Sequence, residues 1–161
     1  LINISYSVYL KKIPYLELFL ICSGYLIRLE VGSFVTGVQT SLLLISSVLS
    51  LSFFVISIKR LTELIKQDTK RNKNLNYSDT ILKFFIYLAG GTFLMSSLFF
   101  FLLFNNYLLI IFPLLTFIII RYFKSSLKFN LGEFPIELVV KDTKLLFSCF
   151  FLLVFTVYIY Y

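Results

Sequence analysis

Apolar positions in this chain fall into five long runs separated by short polar breaks, over residues 15–35, 41–58, 81–104, 107–120 and 145–161. A bilayer core of ~30 Å takes about 20 residues of helix, and lipid offers the backbone no hydrogen-bond partner. Each run is therefore predicted to be a membrane helix. A further apolar stretch, 1–10, reads as the end of a preceding helix, and a chain starting at Leu1 in mid-pattern reads as the later part of a longer one. The number and position of the runs exclude a signal peptide. The expected fold class is all-α: a polytopic membrane helix bundle with about five spanning helices, forming one domain over residues 1–161.

Charge sits between the runs, and only at alternate connections. Lys11 and Lys12 precede the first span. Lys59, Arg60, Lys66, Lys70, Arg71 and Lys73 lie between the second and third, and Arg121, Lys124, Lys128, Lys141 and Lys144 between the fourth and fifth. Connections 37–40, 105–106 and 160–161 carry no charge. Basic loops stay on the cytoplasmic side, so five spans give a consistent topology in the cell (inner) membrane, with the active side cytoplasmic. Tyr107, Tyr158, Tyr160 and Tyr161 fall at the opposite boundary, where amphipathic rings serve as an interfacial belt. The net charge of +7 is thus accounted for by topology, and no basic–aromatic interleaving points to nucleic acid.

Composition supports the same class: 59% of the 161 residues are hydrophobic and 14% charged, with a mean hydropathy of +0.92. Cys22 and Cys149 stand alone in apolar runs and form neither a metal cluster nor a disulfide framework. The chain has no His, which leaves Asp, Glu, Lys, Arg and Tyr to carry any chemistry.

Three charges interrupt the first run: Glu17, Arg28 and Glu30. A charge at mid-bilayer costs at least ~2.5 kcal/mol, so such groups usually face a bundle interior and a partner. Glu17 and Arg28, eleven positions apart, share one helical stripe, whereas Arg28 and Glu30 point apart. Two readings stand: a structural interhelical ion pair with boundary snorkelling, or a polar cavity open to the cytoplasm in which Arg28 holds a phosphate. The second group is Lys59-Arg60-Leu61-Thr62-Glu63-Leu64 at the end of the second run. It reads either as a stop-transfer anchor or as a phosphate site formed by Lys59 and Arg60, with Glu63 or Asp68 near magnesium.

The run Asn3, Tyr6-Ser7, Leu10-Lys11, Pro14 and Glu17, then Gly24, Arg28, Gly32 and Gly37, resembles the middle of the UbiA superfamily of membrane transferases. The nearest branch is that of the decaprenyl-phosphate phosphoribosyltransferases. Lys59-Arg60-x-x-Glu63-Leu64, Tyr77-Ser78, Pro113, Arg121-Tyr122 and the set Gly132, Glu133, Pro135, Leu138, Lys141 and Asp142 are similar to that branch, in its order. The resemblance implies the last five helices of a nine-helix enzyme that moves a phosphoribosyl group from phosphoribosyl diphosphate to a polyprenyl phosphate, with Mg2+. It implies substrate-binding roles for Lys11 and Arg28, and secondary ones for Tyr6, Lys59, Arg60 and Glu63; no catalytic residue and no metal ligand is assigned. Glu17 stands where the branch has Asp, and the family's main magnesium motif belongs to a first half that this chain does not contain, so the chain alone is expected to be inactive. Relatives that use prenyl diphosphates carry an acidic motif where this chain has Lys59-Arg60-Leu61-Thr62-Glu63. That favours the phosphoribosyl branch over the alternative of a UbiA-type prenyltransferase. A transporter or lipid-carrier subunit lined by Arg28 and Glu30 is the reading from another class; it calls for inverted repeats, and none is found. The expected partners are the bilayer, polyprenyl phosphate and phosphoribosyl diphosphate, with a homo-oligomer open. The stretch 59–79, with Asn72, Asn74 and Asn76, reads as a substrate-facing lid or a solvated linker.

Overall fold

The computed structural model describes residues 15–66, 78–104 and 106–160. Tyr6 and Lys11 lie outside them, as does the stretch 67–77 that makes up most of the expected lid. Among the described residues the chain is helical, with no strand. Helix α1 (Leu16–Thr36) ends at Gly37, whose φ of 68° is the left-handed conformation that glycine adopts without a Cβ penalty. Helix α2 (Leu42–Lys66) and α3 (Asp79–Phe104) follow, then a 3-10 turn (Asn106–Ile111), α4 (Phe112–Phe129), a short α5 (Pro135–Lys141) and α6 (Thr143–Tyr160).

Four helices are long and apolar enough to cross a membrane: Leu16–Thr36, Leu42–Ile65, Asp79–Leu103 and Leu109–Phe129. The expected fifth span corresponds to a shorter apolar helix, Thr143–Tyr158, so four spans rather than five reach that length among the described residues. Two boundaries also differ from the sequence reading. Helix α2 continues past Ile58 to Lys66 because its charged end is itself a good helix: Arg60 and Glu63 pair one turn apart, and the Thr62 hydroxyl donates to the Lys59 carbonyl at 2.9 Å. The fourth run is reset at Pro113, which occupies the first turn of α4 where its missing N–H costs nothing.

Four of the five serines of α2 show how a polar side chain is tolerated at membrane depth. Ser46, Ser47, Ser50 and Ser52 each donate to a carbonyl three or four residues back, at 2.6–3.1 Å. Their hydroxyls are satisfied within the helix.

Helices α2 and α3 lie side by side, α1 packs on α2, and α4 bridges α2 and α3 to α5 and α6. The core at the α1–α2–α3 junction is built of Leu18, Cys22, Phe53, Phe54, Ile58, Leu61, Leu82 and Ile86. Edge-to-face rings join it: Phe53 meets Phe85 with centroids 5.4 Å apart, and Tyr15 meets Phe85 at 5.8 Å. The outward faces are equally apolar, with Phe34 90% and Leu42 84% exposed. Surface of that kind is stable against lipid, not water.

Candidate functional site

Four contacts place every basic connection among the described residues at one end of the bundle. Arg60 at the end of α2 meets Glu17 at the start of α1. The Tyr15 hydroxyl accepts from the Ser78 N–H at 3.0 Å, fixing the start of α3 beside the start of α1. The turn after α4 brings Gly132 against Thr62, and Arg121 at the middle of α4 pairs with Asp142 ahead of α6.

The strongest charge group at this end is Glu17–Arg60–Glu63. Arg60 Nη2 donates to Glu17 Oε1 at 2.5 Å, and its Nη1 donates to Glu63 Oε2. Arg60 is 5% exposed, Glu17 0% and Glu63 7%. A buried guanidinium needs this arrangement, because its fork can satisfy two carboxylates at once and the ions compensate one another's desolvation. Lys59 is half-buried beside it. The structure thus unites Arg60 and Glu63 from the predicted set with Glu17, and keeps Lys59 next to them.

Arg28 is not brought to this group. It lies three turns along α1 from Glu17, roughly 16 Å by helical rise, and is exposed on the outward face with its guanidinium 5.6 Å from the Tyr25 ring centroid. The shared stripe of Glu17 and Arg28 is covered at one end by α2 and left open at the other. Glu30 is also exposed and accepts from the Thr40 hydroxyl at 3.0 Å.

A second group, which charge spacing alone did not single out, ties the last helices to α4. Arg121 donates twice to Asp142, from Nε at 2.8 Å and from Nη2 at 3.1 Å, and the Ser125 hydroxyl donates to the same carboxylate. Asp142 is 4% exposed. The Arg121 hydrogen bonds hold its carboxyl down at about 2 against the opposing effect of burial, with help from Ser125 and from a backbone N–H at Leu145. The available signal was the pairing of Arg121, directly after the fourth apolar run, with an Asp one residue ahead of the next helix.

Gly132 explains how the two groups are held at a fixed spacing. A Cβ at this position would lie 2.3 Å from Thr62 Oγ1, so the turn approaches α2 more closely than any other residue allows. Among the described residues no group of three or more Asp, Glu, His or Cys side chains gathers around a metal-sized space. Glu17 and Glu63, the two acids that come together, are both turned to Arg60. These residues do not fit a magnesium site by themselves. Comparison of the chain with protein-family models, with curated proteins and with solved structures found no match.

Proposed function

We propose that this chain is part of a membrane-embedded transferase that passes a phosphoribosyl group from phosphoribosyl diphosphate to a polyprenyl phosphate. The observation that supports this reading is the buried Glu17–Arg60–Glu63 group beside Lys59, at the end of an apolar bundle where the basic connections among the described residues gather. In this reading that end is cytoplasmic, since basic loops are retained there.

The chemistry asks for both signs of charge close together. The bond from the ribosyl carbon to the diphosphate breaks, the diphosphate leaves with the electron pair, and an oxygen of the lipid phosphate forms the new bond. Lys59 and Lys11 neutralise phosphate oxygens in this proposal and the Tyr6 hydroxyl donates a hydrogen bond to one, Tyr6 and Lys11 being assigned by the resemblance alone. A carboxylate held beside them stabilises positive charge developing on the ribosyl carbon. Glu63 is suited to that task, because its hydrogen bond from Arg60 fixes its position. No magnesium ligand is assigned among the described residues.

The test is transfer of labelled phosphoribose into extractable lipid by membranes carrying the full-length protein. Glu63→Gln keeps the packing and removes the charge, and it is expected to lower turnover by about 10²-fold or more at normal membrane levels. Lys59→Met is expected to weaken use of phosphoribosyl diphosphate. Membranes that form no lipid-linked phosphoribose above the background of empty membranes overturn the reading.

A further inference from the structure

Helix α1 packs on α2 through Leu18 and Cys22, both buried. Positions nine residues further on, Ile27 and Val31, lie half a turn round the helix from them, and both are exposed, as is Phe34. With Leu20 and Gly24 they continue one stripe at spacings of four, three, four and three residues, which is the apolar seam of a helix that pairs with another helix. The space around Gly24 is open, with nothing within 4 Å of where a Cβ would stand, so a second backbone can approach there. Arg28 and Glu30 flank this seam, each about 80° from its midline by helical spacing. Among the described residues Arg28 meets no carboxylate, although it lies two residues from the middle of a spanning helix, where an uncompensated charge is costly.

We infer that the outward face of α1 is the interface of a homodimer, in which Arg28 of each copy pairs with Glu30 of the other. A second copy is favoured because the face carries its own complement. Two copies inserted in one membrane share an orientation, so their two-fold axis runs along the membrane normal and their α1 helices run parallel. A two-fold axis through the seam then puts the Arg28 flank of one copy beside the Glu30 flank of the other, twice. The two positions differ in height by about 3 Å, well within the reach of an arginine side chain. This interface does not depend on the transferase reading.

The test uses the full-length protein in its membrane, with Cys22→Ala and Cys149→Ala as background and Val31→Cys on the seam, close to its own copy across the axis. Mild oxidation is expected to give a disulfide-linked dimer. Arg28→Glu or Glu30→Arg alone opposes like charges and is expected to lower the cross-linked yield at least tenfold. Arg28→Glu with Glu30→Arg in the same chain restores it, and the two single variants, differently tagged and co-expressed, cross-link with each other. That mixed dimer also shows that each single variant is folded and inserted. Absence of a dimer in the parent, yields that ignore the charges, or failure of both recovery arms overturns the interface.

Discussion

Arg60 Nη2 lies 2.5 Å from Glu17 Oε1, joining residues forty-three positions apart across two helices. This contact closes the basic end of the α1–α2 hairpin, and its energetics are those of a buried ion group. Removing one partner leaves charge without compensation and costs about 3–5 kcal/mol. Arg60→Met leaves two carboxylates facing each other and is expected to lower the melting temperature in detergent micelles more than Glu17→Gln, which removes only one of them. Equal or reversed shifts would contradict the central position of Arg60.

Asp142 gives the bundle a pH dependence of known sign. Its carboxyl is held at about 2, below the ordinary 3.8, chiefly by the Arg121 hydrogen bonds. A depressed folded-state value means that the stabilisation is complete above about pH 4 and is lost as the pH falls towards 2. Because Arg121 is one-third exposed, the contribution is screened to about 1–2 kcal/mol. Asp142→Asn should remove that amount at neutral pH and flatten the stability profile between pH 4 and 2. A profile as steep as that of the parent would show that another acid is responsible.

The close approach at Gly132 predicts a clash with a specific cure. Gly132→Ala should cost about 1–3 kcal/mol by forcing its methyl into Thr62. Adding Thr62→Ala removes the two nearest atoms and should recover part of the loss, since the Thr62 hydroxyl donates only to carbonyls of its own helix. Thermal unfolding of the two single variants and the double variant checks this, and additive losses would rule out the contact.

Orientation is testable at two exposed positions. Gln39, between α1 and α2, and Lys128, in the last turn of α4, lie at opposite ends of the bundle. With the native cysteines replaced, Gln39→Cys should react with an impermeant maleimide from outside intact cells and Lys128→Cys only after permeabilisation. The reverse pattern would place the basic end outside.

The sequence by itself determined the class of molecule, the approximate positions of the apolar helices, and the alternation of basic and uncharged connections. Length, hydropathy and loop charge are local properties that insertion into lipid reads directly. It also flagged Glu17, Arg28, Arg60 and Glu63, because charge near an apolar run is conspicuous in one dimension. What only the tertiary structure decided was which charges meet. Helical spacing put Glu17 and Arg28 on one stripe, yet α2 covers only the end of that stripe carrying Glu17, and Arg60 reaches it from a separate helix. Arg121, Ser125 and Asp142 converge because the turn at Gly132 folds α5 and α6 back onto α4. Ion pairing depends on distances set by helix packing, and no spacing within one segment encodes those distances.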